Sequence, residues 1–203
     1  IQSRFDDGEI IEMDFAQLEF RVAAFLSQDS QAIQDILEGV DVHQNTANVI
    51  GCDRQTAKAH TFKPLYGGMS GTDEEKKYYS YFRKRYKGIT LWQEKTEDTA
   101  ISTSFVTLPS GRQYYFEGIK RASWGGSNFY TQVRNYPVQG FATGDIVPVA
   151  CIDIYKSMKN MRTRLINTVH DSIIIDVHPK EVDSVLNKLK KACDGITQSI
   201  NKR

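Results

Sequence analysis

Arg54, Lys58, Phe62 and Tyr66 recur every fourth residue in the stretch from Arg54 to Gly67. On a helix that spacing lines one face with two cations, then two aromatic rings. A planar guanidinium fork and a compact ammonium suit the oxygens of a polyphosphate, and the rings offer stacking surface to a flat base. An ordinary helix with a solvated basic patch and two core rings fits the same pattern. Two acids extend the first reading. Asp14 ends the alternating run that starts at Glu9, and Asp171 sits in a turn between two apolar runs. Asp14 also suits a plain N-cap, and an Asp in a turn is commonly structural. Held rigidly on neighbouring strands, though, the two carboxylates are hard oxygen ligands of the kind a divalent ion takes.

The elements that must position these side chains are legible in outline. Glu9–Asp14 reads as a strand, and helical periodicity takes over from Ala16 to Leu26. A short helix over Ser30–Leu37 stops at Gly39, before Val40-Asp41-Val42-His43. Pro64 predicts a bend before Tyr66, and Gly67-Gly68 ends that helix. Thr72-Asp73-Glu74-Glu75 is an N-terminal signal for a helix whose core face carries Tyr78, Phe82 and Tyr86. Gly88 separates it from another helix through Leu91 and Trp92. Ser104–Leu108 and Gln113–Phe116 flank Pro109-Ser110-Gly111-Arg112 as a β-hairpin. Asn135-Tyr136-Pro137-Val138-Gln139-Gly140 opens a long helix towards Met158, with Pro137 near its start and a kink at Pro148. Arg164–Val169 and Ser172–Val177 are two strands about the His170-Asp171 turn. Val182, Val185, Leu186, Leu189 and Cys193 form the apolar side of a last helix packed under the sheet.

Composition narrows the class. The 203 residues suffice for one large domain or a domain with a subdomain, and 40% hydrophobic with 25% charged residues supports an ordinary packed core. No run of about 18 apolar residues is present, so no membrane partner is expected. The first residues lack a signal-peptide pattern. Cys52, Cys151 and Cys193 are widely spaced, form no zinc pattern, and read as thiols of a reducing compartment. A formal net charge of +1 is weak for a free-standing duplex-binding domain, so the basic surface is either local or completed elsewhere. Repeats, low-complexity tracts and flexible linkers are absent from the sequence.

Four stretches together resemble the family A, or Pol I-like, DNA polymerases. Arg54-x3-Lys58-x3-Phe62-x3-Tyr66-Gly67 is similar to motif B, and Asp14-Phe15-Ala16-Gln17-Leu18-Glu19-Phe20-Arg21 to motif A. Asn135-x-Pro137-Val138-Gln139-Gly140 is a further signature, and His170-Asp171 resembles motif C. They follow in the family order from about Phe5 to Val177. Two departures stand out: Ser172 takes the place of the usual Glu, and Thr131 stands where many relatives have an Arg. The linker after motif B is also short. The resemblance implies an α/β (α+β) fold, a palm with an antiparallel sheet over 1–40 and 102–203 and helical fingers over 41–101. It implies a chain that lacks the thumb and any exonuclease domain, with a phage-type source expected and a bacterial replication or repair enzyme as the alternative.

What the resemblance implies for chemistry is template-directed addition of dNTPs to a primer 3′-hydroxyl. Two Mg2+ ions, with Mn2+ as an alternative, would lie roughly 3.5–4 Å apart, on Asp14, Asp171 and the Phe15 backbone carbonyl. Arg54, Lys58 and His43 would face the triphosphate, Lys58 also counting as catalytic. Phe62 would pack on the sugar, Tyr66 on the nascent pair, Gln17 beside the nucleotide, and Glu19 would act as the gate against a ribose 2′-hydroxyl. Arg112, Asn135, Gln139 and His170 would contact primer–template DNA. Asn and Gln amides suit the acceptors that every base pair shows in the minor groove. The expected location is cytoplasmic, in the host if phage-encoded, and processivity partners stay open. Two rivals remain at this point: a single-subunit RNA polymerase, which also uses His-Asp-Ser, and a fragment that binds nucleotide or DNA without turnover.

Overall fold

A central strand buried along its whole length explains the uninterrupted apolar run Ile173-Ile174-Ile175. In chain order the elements are β1 (Glu9–Asp14), α1 (Leu18–Ser27), α2 (Ser30–Leu37), α3 (Val42–Ile50), α4 (Arg54–Thr61) and a 3-10 turn at Lys63–Tyr66. There follow α5 (Asp73–Arg85), α6 (Lys87–Thr103), β2 (Phe105–Thr107), β3 (Gln113–Tyr115) and α7 (Tyr130–Phe141). A π-helical turn at Ala142–Ile146 leads to α8 (Val147–Ser157), β4 (Arg164–Val169), β5 (Ser172–Val177), a 3-10 turn at Pro179–Glu181 and α9 (Val182–Asn201). This computed structural model describes residues 1–201, the side chains of 194 and 196–201 excepted. Packing divides the chain into two units: Ile1–Leu18 with the chain from Gly140 onward, and Glu19–Gln139.

The first unit is a three-stranded antiparallel sheet in the order β1-β5-β4, backed by α8 and α9. Glu9 pairs with Val177 and Asp14 with Ser172, so the end of β1 meets the start of β5. Ile173, Ile175, Val177, Ile154, Val185 and Leu189 fill its core. Burying such side chains contributes roughly 1.5–3 kcal/mol each before entropy is charged against it. Asp176 is buried within β5 and accepts from Ser3 Oγ at 2.6 Å, which ties the N-terminal segment to the sheet. Leu186 is 48% exposed, so the apolar side of α9 is narrower than its sequence spacing predicts.

The second unit is built on aromatic packing. Tyr78, Tyr79, Phe82 and Tyr86 of α5 and its C-cap are fully buried, with Phe20 of α1 against Tyr86 at 5.2 Å between ring centroids. Buried Asp29 caps α2 through the Ala32 amide and also accepts from the Ile89 amide, so one carboxylate serves two helix starts. A smaller cluster of Ala100, Val106, Phe116 and Val133 sits under the β2–β3 hairpin.

Two proline expectations shift. The helix expected to open at Asn135 begins at Tyr130, so Pro137 lies inside it. The kink expected at Pro148 takes the form of a π-helical turn just ahead of it, in a helix that runs on into α8.

Candidate active site

Each unit carries a group of the expected residues, and each group is taken by itself. In the sheet unit, β4 and β5 are joined by a two-residue turn of His170 and Asp171. The neighbouring β1 places Asp14 directly across from Ser172, one residue from Asp171. The Phe15 amide donates to the Asp171 carbonyl at 3.3 Å, which fixes the strand end against the turn. Two acids far apart in sequence therefore stand side by side, with Asp14 exposed and Asp171 half-buried. Burial, then the Asp171 and Glu12 carboxylates, push the Asp14 carboxyl above its ordinary value. Mutual repulsion of that kind is relieved by a shared cation.

The backbone on both sides of this pair is unusual. Gln17 has φ +54° and His170 φ +54°, the left-handed region that non-glycine residues visit at a cost of about 1–2 kcal/mol. Such conformations persist where the surroundings over-determine them, and they concentrate at functional sites. His170 is exposed and Phe15 buried. Ser172, in the place of the usual third acid, is buried and turns its hydroxyl back to the Val169 carbonyl at 3.0 Å. It closes the hairpin rather than facing outward. Among the described residues no three His, Cys, Asp or Glu side chains cluster for a metal ion. The donors present are two carboxylates and a nearby carbonyl, and these fit a hard divalent ion that completes its shell with substrate oxygens and water.

In the helical unit the four-residue repeat is divided. Asp53 caps α4, accepting from the Gln55 and Thr56 amides, so Arg54 and Lys58 share the helix while Phe62 is its C-cap at φ −101°. The chain then tightens into the 3-10 turn that contains Pro64 and ends at Gly67 with φ +80°. Tyr66 therefore leaves the helical face and donates its hydroxyl to the Glu19 carboxylate. Phe62 stacks on Phe20 with centroids 6.0 Å apart and meets His43 edge-on at 5.1 Å. His43 Nδ1 lies 3.0 Å from Thr61 Oγ1. Burial, followed by Arg54, holds the His43 imidazole below its ordinary value; Asp41 pulls the other way, and Lys58 adds a smaller push downward. Three potential cations thus converge on one patch.

Asp41 was missed from sequence. It caps α3 through the Gln44 amide and takes Arg54 Nε at 2.7 Å. The hydrogen bond from Arg54 drives the Asp41 carboxyl below its usual range, with burial opposing. At 44% and 42% side-chain exposure this is a surface ion pair worth about 0–1 kcal/mol. The Asp41-Val42-His43 run carried the signal, though its capping role hid the pairing. Arg112 and Gln139 are exposed, and Asn135 is half-buried in α7. Arg134, which might have replaced the Arg absent at Thr131, is turned inward: it is 4% exposed and pairs with Glu97 at 3.1 Å.

The chain is similar to known proteins over most of its length. The family model of DNA polymerase family A matches residues 3–200. DNA polymerase I of Lactococcus lactis is 29% identical over 93% of this chain and 24% of its own length. Mouse DNA polymerase theta is 32% identical over 78% of this chain and 7% of its own length. The solved POL domain of Pol1 from M. smegmatis, in complex with DNA primer-template and dNTP, has the same fold, with a TM-score of 0.78 at 22% identity. That likeness covers 93% of this chain and 37% of that one. The chain spans about a quarter of the length of the bacterial relatives it matches. With its family model matched almost end to end, the chain belongs to DNA polymerase family A.

Proposed function

We propose that this chain carries the catalytic and nucleotide-selecting parts of a template-directed DNA polymerase that adds dNTPs to a primer 3′-hydroxyl. The observation that carries the reading is the β1–β5 register, which sets Asp14 beside Asp171 at one end of the sheet. Palm and fingers would occupy 1–40 with 102–203, and 41–101. Asp14, Asp171 and the Phe15 carbonyl would hold divalent ions, Mg2+ by preference. When bound, such ions activate a hydroxyl nucleophile and stabilise a leaving pyrophosphate.

The remaining work falls to side chains. Arg54 exchanges Asp41 for a phosphate oxygen, and Lys58 adds a second positive charge, so charge developing on the leaving group meets fixed donors. His43, kept neutral in the free protein, gains a proton more readily once a polyanion lies beside it. The Phe62 ring offers a flat wall for the sugar. Glu19, fixed by the Tyr66 hydroxyl, closes the space that a ribose 2′-hydroxyl needs, and an unpaired 2′-hydroxyl against a carboxylate already engaged is disfavoured. Gln17 would line the nucleotide site. Arg112, Asn135, Gln139 and His170 would contact primer–template DNA.

Primer extension by the full-length protein, beside Asp14→Ala and Asp171→Ala, tests the reading. The expected result is extension with dNTPs by wild type and a loss of at least about a hundredfold in each variant. Equal extension by all three would refute it. A preference for rNTPs would move the assignment to an RNA polymerase, the reading that Ser172 favours.

A further inference from the structure

The short turn that carries Tyr66 closes on itself through the Leu65, Gly67 and Gly68 amides. Its backbone carbonyls at Pro64 and Leu65 are also both taken by one buried side chain, Gln93 of α6. The Gln93 amide nitrogen lies 3.2 Å from the Pro64 oxygen and 2.8 Å from the Leu65 oxygen. Gln93 is 3% exposed, so no water competes for those bonds.

Gln93 is itself held from the other side. Its amide oxygen accepts from Arg134 Nη1 at 3.4 Å, and Arg134 Nη2 reaches Glu97 at 3.1 Å. The second Glu97 oxygen takes the Ser127 amide at 2.6 Å, and the Tyr130 ring lies 3.8 Å under the guanidinium. Arg134 and Glu97 are 4% and 5% exposed. Orientation follows from this chain of donors. Arg134 can only donate, so it must face the Gln93 oxygen, which turns the Gln93 NH2 towards the two carbonyls. The next residue after Tyr66 seals the joint. Gly67 has φ +80°, and a Cβ there would come within 2.6 Å of Tyr130 and 3.0 Å of Arg134. The backbone on one side of Tyr66 is thus bonded to α6, and on the other side it is packed against α7.

We infer that Gln93, oriented by the buried Arg134–Glu97 pair, is a positioning residue for Tyr66 and through it for the Glu19 carboxylate, and so sets discrimination between deoxyribo- and ribonucleotides. The inference rests on the polymerase reading above for the roles of Tyr66 and Glu19. It adds a residue that touches neither nucleotide nor metal. A side chain that only filled space could be replaced by Met at similar volume with little effect. A positioning side chain could not, because the Leu65 carbonyl would lose its side-chain donor in a dry site and the Pro64 carbonyl would keep only the Gly67 amide.

The test uses Gln93→Met and, as a milder change, Gln93→Asn, which keeps an amide but withdraws it by one methylene. Amide exchange is followed at Leu65, Gly67 and Gly68, whose N–H groups bond within the turn. In parallel, binding of a matched dNTP or rNTP to the full-length protein on a dideoxy-terminated primer–template gives the ratio of dissociation constants. In Gln93→Met the three amides should exchange about tenfold faster, a larger change than that at the α5 amides. The rNTP-to-dNTP ratio should fall about tenfold, with Gln93→Asn intermediate. Tyr66→Phe should lower the ratio similarly, and adding Gln93→Met to it should change nothing more. Unchanged exchange at the turn, an unchanged ratio, or full additivity with Tyr66→Phe would overturn the inference. Failure of the wild type to bind either nucleotide would instead remove the polymerase reading beneath it.

Discussion

Asp35 of α2 offers the sharpest stability prediction in the molecule. Its carboxylate is 2% exposed and accepts from Arg85 Nε at 2.9 Å and Nη2 at 2.7 Å, from the Tyr86 hydroxyl at 2.8 Å and from Gln31 at 2.8 Å. Although burial works against it, the Asp35 carboxylate raises the already high value of the Arg85 guanidinium. Burial and the same carboxylate push the Tyr86 phenol up as well. Replacing Asp35 with Ala removes one partner of a buried pair, a change that costs about 3–5 kcal/mol. Arg85 has 28% side-chain exposure and can turn to water, which favours the lower end. The buried Tyr86 hydroxyl cannot escape, and leaving it unpaired costs about 1–3 kcal/mol of that total. A loss near 3 kcal/mol lowers the melting temperature by roughly 6–12 °C for a chain of this size. Asp35→Asn keeps the shape and one acceptor and should lose about half as much. Thermal and urea unfolding measure both variants. Tyr86 also buttresses Phe20, which stacks on Phe62, so the aromatic wall should loosen too. A loss under about 1 kcal/mol, the size expected of a surface pair, would refute the reasoning.

Three further outcomes follow from the same geometry. Asp14 is pushed upward from 3.8, first by burial and then by Asp171, so its contribution favours folding only at low pH and fades as the pH rises through its folded value. Asp14→Asn should therefore raise the urea midpoint in EDTA at pH 7, with the gap closing below pH 3.8. Glu181 behaves oppositely: burial resists ionisation, but the Arg162 and Thr163 amides and the Thr163 hydroxyl hold it down at about 2 from 4.5. Its stabilising effect is present above 4.5 and lost towards about 2, so the midpoint difference from Glu181→Gln should shrink across that window; a constant difference would contradict the assignment. At His170, with φ +54°, Gly should be tolerated or stabilising by up to about 1 kcal/mol while Val costs about 1–2 kcal/mol. Urea midpoints decide, and a Val variant as stable as the Gly variant would contradict the backbone argument.

Period and turn chemistry made much of the fold legible. The apolar runs around His170-Asp171 and the alternation before Asp14 each announce a strand, the two-residue turn makes β4 and β5 antiparallel, and the fully apolar run marks β5 as the middle strand. The candidate acids were legible for the same reason, since turn and strand-end positions are fixed by local pattern. Helix ends were less so. Nothing in the spacing of Phe62 and Tyr66 says that the chain tightens into a 3-10 turn, because that depends on Pro64 packing in the interior. The start of α7 at Tyr130 was hidden by Pro137, which lies inside the helix on its buried side. Least legible were Gln93, Glu97 and Arg134. Polar residues scattered at these spacings look like solvated helix positions, and only tertiary pairing reveals that all three are buried.

The most direct test of the shared-ion claim is a Mn2+ titration of 15N-labelled protein, read as line broadening of backbone amides. Residues 13–15 and 170–172 should broaden together with one dissociation constant, Mg2+ should reverse the effect, and either Asp14→Ala or Asp171→Ala should weaken both segments at least about tenfold. Broadening confined to one segment, or left intact at either after loss of the other's carboxylate, would contradict the account.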